Sequence, residues 1–310
     1  MNKRIVALFL LISVLFLTGC TQNNTGKTSQ TDPFIGGTNG LVISFQKDAP
    51  PAEVFDSRNF PFDVEVKLKN DGETDIKKED VVVKISGVSP ADFGLSDADF
   101  VKSPTEDLSA TKKDAQGTVI EGVETTVNFP NFLYQGKVAG NSQFPIWAKV
   151  CYKYGTITIS QLCIKENLLS SDDKICKVTE KKTDFNSGAP VSIIEFEESA
   201  RGKDKLGFTF KIQHKVKGDI YKQGTKCASD RVNENKVWVN VDTGISGLEC
   251  AGLSEGTATS GYVVLFEGEK VIRCTQQVTS TTDYVKQVRI DLTYDYLDDI
   301  STNVLVKPIV

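Results

Sequence analysis

The 310-residue chain has one histidine, one methionine and two tryptophans. A Ser-His-Asp or Cys-His device would therefore have to be built on His214. The seven cysteines include no Cys-x-x-Cys, and with a single histidine the ligand spacing of a zinc site is missing, so no metal is expected. No apolar run reaches the ~20 residues that a transmembrane helix needs. Beyond the N-terminus no longer stretch keeps a 3.6-residue apolar period, which excludes a helical architecture. Basic charge is also short, with 36 Lys and Arg against 41 Asp and Glu. Neutralising phosphates takes a basic face, so nucleic acid is excluded as a partner.

The N-terminus has a pattern of its own. Lys3 and Arg4 precede the apolar run Ile5 to Leu17, and small residues follow. A charged start, a short apolar core and a small-residue cleavage site make residues 1–19 a secretory signal. Leu17-Thr18-Gly19-Cys20 resembles the lipobox of prokaryotic lipoproteins. The resemblance implies cleavage before Cys20, a lipid on its sulfur, and a place on the outer face of the cytoplasmic membrane. Losing Lys3 and Arg4 leaves 34 basic against 41 acidic side chains, a net charge of −7. Residues 20–39, rich in Thr, Asn, Gly and Gln, bury too little to order themselves and read as a flexible tether. The one N-x-S/T sequon, Asn23-Asn24-Thr25, falls there and makes Asn23 a candidate glycan acceptor.

From residue 40 onwards the period is two. "FPFDVEVKL" sets Phe62, Val64, Val66 and Leu68 on one face and Asp63, Glu65 and Lys67 on the other. That is a half-buried strand, closed by the turn chemistry of Asn70-Asp71-Gly72. "VVVKISG", "TTVNF", "FPIWAKVCYKY" and "TITISQLCI" continue the series, so the chain is all-β. Pro90 to Phe100 and Leu168 to Lys174 read as short turns within loops. The second half repeats the first. "CYKYGTITISQLCIK" aligns with "TYDYLDDISTNVLVK" at an offset of 142, bringing Tyr152 onto Tyr294 and Tyr154 onto Tyr296. Phe62, Val64, Val66 and Gly72 match Phe208, Phe210, Ile212 and Gly218 at an offset of 146. Two immunoglobulin-like sandwiches follow, residues 40–166 and 190–310, joined by a linker over 167–189.

The repeat also bears on the six cysteines left after Cys20, an even number that in an exported chain reads as disulfides. Cys151 and Cys163 have Thr293 and Leu305 as equivalents. Their joint absence from the second copy pairs Cys151 with Cys163 across a hairpin turning near Tyr154-Gly155. Cys250 pairs next with Cys274, which leaves Cys176 for Cys227. The rival pairing is Cys163 with Cys176.

"GLVISFQKDAPPAEVFDSRNFPFDVEVKLKNDGE" and "GAPVSIIEFEESARGKDKLGFTFKIQHKVKGDIY" resemble the opening strands of CARDB- and NEW3-type immunoglobulin-like domains. The whole from Gly40 to Val306 resembles uncharacterised exported proteins of small-genome archaea. The resemblance implies a surface protein that binds or builds, with no catalytic residues and no cofactor to carry over. His214 aligns with Leu68 on the inward face of "FTFKIQH" and reads as structural. The pairs Glu197-Glu198, Asp172-Asp173 and Asp298-Asp299 lack the alternation of a calcium loop and read as solvated loop charge. Trp147 and Trp238 lie in alternating strands and read as core or sheet-face packing. The function expected is non-enzymatic: a lipid-anchored adhesin presenting two modules to a surface protein or glycan. A structural envelope or filament component, self-associating through sheet edges, is the alternative, and a carboxylate hydrolase the third reading.

Overall fold

The structure is a computed structural model that describes residues 32–56 and 58–309; residues 1–31, and with them Cys20 and Asn23, lie outside the described residues. Among the described residues there are eighteen strands and three short 3-10 segments, an all-β fold as the period of two predicts. The first seven strands are β1 (Leu41–Phe45), β2 (Glu53–Phe55), β3 (Phe62–Asn70), β4 (Val81–Ser86), β5 (Val101–Lys102), β6 (Lys112–Lys113) and β7 (Val119–Ile120). Then come β8 (Glu124–Phe132), β9 (Ser142–Ile164), β10 (Phe185–Asn186), β11 (Val191–Ala200), β12 (Lys205–His214) and β13 (Asp219–Tyr221). The last five are β14 (Lys236–Asp242), β15 (Leu248–Ala251), β16 (Ser260–Val264), β17 (Glu269–Gln277) and β18 (Tyr284–Lys307).

Two of these strands are far longer than the rest, and they organise everything else. β9 and β18 pair antiparallel from Ser142↔Val306 to Ile164↔Tyr284. Even-numbered residues of β9 from Ile146 to Ile164 are all buried, and Ile290, Leu292, Tyr294, Tyr296, Val304 and Val306 continue the same face on β18. One face of this ribbon therefore backs the whole core. At one end it joins β4, β5 and β2 and packs against the sheet β1-β3-β8. At the other it joins β14, β16, β10 and β13 and packs against the sheet β11-β12-β17-β15. The first half of the core is aromatic, with Phe62, Phe93, Phe100, Phe132 and Phe144 in edge or stacked contact. The second stacks Phe196 on Phe208 and Phe210.

This arrangement corrects several expectations. Tyr154-Gly155 is not a turn, because both residues lie inside β9. Residues 167–189 do not separate two independent domains: each long strand serves both sandwiches, and Pro33–Val310 forms one unit. Cys151 cannot bond Cys163, since 12 residues of extended strand put them ~40 Å apart, against the ~7 Å limit for a bridge. The bonds are Cys151–Cys227 and Cys163–Cys176, so the expected Cys176–Cys227 pair is also replaced; Cys250–Cys274 stands as expected. The expected tether does not extend to residues 35–39. Glu73 accepts hydrogen bonds from the N–H groups of Ile35 and Gly36, and Asn39 donates to Asp71, which pins residues 35–39 to the first sandwich.

Candidate functional site

The repeat and the ladder meet at one point. The offset of 142 carries Lys153 onto Asp295, and these two residues are each other's partners in the β9–β18 pairing. The two copies are thus related by a pseudo-two-fold axis through that pair, and each lends its long strand to the other's sandwich. Around the axis sit four tyrosines, Tyr152, Tyr154, Tyr294 and Tyr296, with ring centroids 5.7 to 6.2 Å apart. Burial pushes all four phenols well above their ordinary range, so each stays a neutral hydroxyl that needs partners. Tyr152 accepts from the N–H of Leu41, Tyr154 donates to the carbonyl of Gly188, and Tyr294 meets the Thr156 hydroxyl. Tyr296 donates to the carbonyl of Lys217 in a short bond. The symmetry extends to glycine. A Cβ on Gly72 would fall 2.0 Å from the Tyr154 hydroxyl, and one on Gly218 2.5 Å from the Tyr296 hydroxyl. The equivalent glycines exist to admit equivalent phenols.

On the outer face of the ribbon the copies differ. Asp295 is buried beneath the loop 222–228 and accepts backbone N–H bonds from Gly224 (3.0 Å) and Lys226 (2.7 Å). Cys227 in that loop is bonded to Cys151, which pairs with Leu297 beside Asp295. Lys153, the equivalent of Asp295, is exposed.

Beside the tyrosines opens a groove of about 320 Å³. Its walls include Val42, Ile43, Pro190, Val216, Tyr296 and Ile300, with Lys217, Asp298 and Asp299 at its rim. One wall is β1, which ends its sheet and, among the described residues, pairs with β3 alone. In antiparallel pairing every second residue turns its N–H and C=O away from the neighbour. Gln46 donates to Glu65 across the pair, so the groups of Leu41, Ile43 and Phe45 point outward. Leu41 uses its N–H on Tyr152. The groove thus combines an outward strand edge, apolar walls and a polar rim.

His214 is half-buried, and its Nε2 lies 3.1 Å from the Tyr296 hydroxyl. That hydroxyl spends its proton on Lys217, so Nε2 is the donor to it. Burial lowers the imidazole pKa. His214 therefore serves the tyrosine cluster, as the sequence-based structural reading has it.

The carboxylate pairs are less uniform than solvated loop charge. Asp173 takes a 2.7 Å ion pair from Lys165, whose side chain is buried and also donates to the carbonyls of Ser170 and Asp172. Asp298 is half-buried and Asp299 pairs with Lys217. Glu197 and Glu198 lie in β11, not in a loop, and Glu198 is fully buried. Both Glu198 oxygens accept from the N–H of Cys163, and Lys182 Nζ lies 3.0 Å away. Burial raises the Glu198 carboxyl to about 7, and that of neighbouring Asp184 to about 6. A cavity of about 560 Å³ lies against these groups. Trp147 faces outward and Trp238 packs its ring edge-on against Tyr262 at 4.8 Å, both on sheet faces. Among the described residues no cluster of three or more His, Cys, Asp and Glu is arranged to hold a metal.

No family model matches the chain, and no curated protein matches it. Solved structures that are similar in part include the following two. The envelope protein VP37 of White Spot Syndrome Virus is 8% identical, over 46% of this chain and 97% of that one, with a TM-score of 0.25. The partial N-terminal region of an enterococcal surface protein is 8% identical, over 91% of this chain and 97% of that one, with a TM-score of 0.19. At those scores neither likeness bears on fold or function, and the β-sandwich assignment rests on the chain's own strands.

Proposed function

We propose that the protein is a lipid-anchored, non-catalytic surface protein that binds a partner by accepting an extended strand at the outward edge of β1. The observation that carries this reading is the groove: the free side of a sheet-terminal strand, with Val42, Ile43, Pro190 and Val216 to hold alternate side chains. Strand addition draws affinity from main-chain hydrogen bonds and specificity from such flanking pockets. The anchor is supported by cysteine arithmetic. The six cysteines after residue 20 are consumed in three bonds with one another, which leaves Cys20 as the seventh, inside the lipobox-like motif. Three disulfides also fit an oxidising exterior. The non-catalytic reading is supported by the engagement of His214 with Tyr296.

The test is Ile43→Pro. A proline on an edge strand whose N–H faces away from its neighbour removes no ladder bond. Crosslinking on intact cells with the wild-type chain should trap one discrete partner, and the variant should fold yet lose it. Equal capture by both proteins would rule out the β1 edge. Capture of the chain's own copies or of envelope subunits would favour a structural role through the same edge.

A further inference from the structure

We infer that the β6–β7 hairpin is a membrane-contact element, which lies in the headgroup layer of the bilayer that holds the lipid on Cys20. The inference rests on the anchor proposed above and adds to it the face that the folded body turns toward the lipid.

Four observations converge. First, the chain outside the described fold is short. Twelve residues separate Cys20 from Pro33, so the body cannot lie more than ~45 Å from the anchored sulfur in any conformation. Second, the chain joins the body where the hairpin stands. The turn Asp71–Asp75 holds both segments: Glu73 accepts from the N–H of Ile35, the Gly72 carbonyl accepts from Thr111, and Asp75 binds Lys112. Lys113 reaches the carbonyl of Phe34 at 3.5 Å. Third, the hairpin is apolar where a soluble hairpin would be polar. Val119 and Ile120 are adjacent on a strand, so they point to opposite sides. Both are nonetheless exposed, 46% and 57%, and Ile35, next in sequence to the Phe34 that Lys113 reaches, is exposed as well. Packing against the body would hide one of the two faces; immersion in an interface satisfies both. Fourth, the partner strand supplies Lys112 and Lys113, whose ammonium groups are engaged by Asp75 and the Phe34 carbonyl and whose apolar stems can lie along the same layer. The turn residues Asp114 to Thr118 are polar and closed on the Asp114 carboxylate, which keeps the hairpin in the interface and out of the hydrocarbon.

The experiment uses the full chain, purified with its lipid and reconstituted in vesicles of phosphatidylcholine and phosphatidylglycerol. A benzophenone-bearing phenylalanine replaces Ile120 in one protein and, as a control, Leu169 in another. Leu169 is 66% exposed and lies beyond the C-terminal end of β9, whereas the turn that holds the hairpin bonds Gly155 in the middle of that strand. Irradiation should give lipid adducts at position 120 and none at position 169, and Val119→Asp should abolish the adduct at 120 while the protein still floats with the vesicles. Three outcomes would overturn the inference. A floating protein with no adduct at position 120 removes the contact but keeps the anchor. Equal adducts at both positions mean that no face is preferred. A full-length chain that does not float removes the anchor reading, and this inference with it.

Discussion

Glu198 ties a single buried side chain to the protein's behaviour in solution. Burial lifts its carboxyl from the ordinary 4.5 to about 7, opposed mainly by Lys182 and by the Cys163 N–H. The folded state therefore holds a proton that the unfolded chain has already released above its own pKa. Stability from this group is full below pH 4.5 and falls as pH climbs to about 7, by an amount on the order of 3 kcal/mol at ~1.4 kcal/mol per pKa unit. Asp184 acts in the same sense up to about pH 6. Glu198→Gln keeps an oxygen for Cys163 but cannot titrate. Its thermal midpoint should keep the Asp184 part of the slope and lose the part between pH 6 and 7.5. A variant whose midpoint follows the wild-type slope across that window would show that Glu198 does not hold the proton. None of this was legible in the sequence, for a specific reason. β11 carries a bulge between Ile194 and Glu197, with Glu195 at φ 56°. The inward set runs Val191, Ile193, then Phe196 and Glu198, whereas unbroken alternation would turn Glu198 outward. One bulge residue reverses every face after it. Where the register runs unbroken, as in Val64 to Leu68, alternation placed each inward residue correctly.

Among the elements, the long strands were the hardest to see. Each flank of β9 was legible as a strand, because an inward residue recurs at every second position on both sides of Tyr154. The glycine at 155 then suggested a turn. Nothing local distinguishes a turning glycine from one kept because the Leu292 carbonyl on the partner strand approaches to 3.0 Å of where its Cβ would be. The repeat offset did carry the decisive fact, that β9 and β18 are equivalent, but only the register reveals that they pair with each other. The disulfides follow from the same register. Cys163–Cys176 closes 13 residues and Cys151–Cys227 closes 76. In the chain-entropy picture the shorter loop contributes about 3 kcal/mol and the longer about 4.5 kcal/mol. Replacing Cys163 and Cys176 together by alanine should thus cost less than replacing Cys151 and Cys227 together. Denaturant unfolding of the two double variants checks the order, and non-reducing peptide mapping checks the pairs. A peptide joining Cys151 to Cys163 would contradict the continuous strand itself.

At the scale of the molecule, strand exchange makes the halves depend on each other. Each sandwich takes one long strand from its own copy and one from the other, and the four tyrosines on the axis find partners on both sides: Tyr152 on Leu41, Tyr296 on Lys217. Cutting at residue 189 would leave β18 without the strand that pairs along almost all of its length. The buried face of β18 in the second sandwich, Val288, Ile290 and Leu292, would then sit on a strand held from one side only, by β14. The other half would lose Val304 and Val306 from its core. Neither piece keeps a closed core, so neither 33–189 nor 190–310 should fold by itself, although each contains enough strands for an ordinary sandwich. Mixed at equal concentration under oxidising conditions, the two pieces should rebuild the ribbon and form the Cys151–Cys227 bond between chains. Circular dichroism and a non-reducing gel read both steps. A cooperatively folded monomer of 190–310 alone would mean that the second sandwich closes without β9. The shared ribbon would then be only a seam between domains, not the element on which both are built.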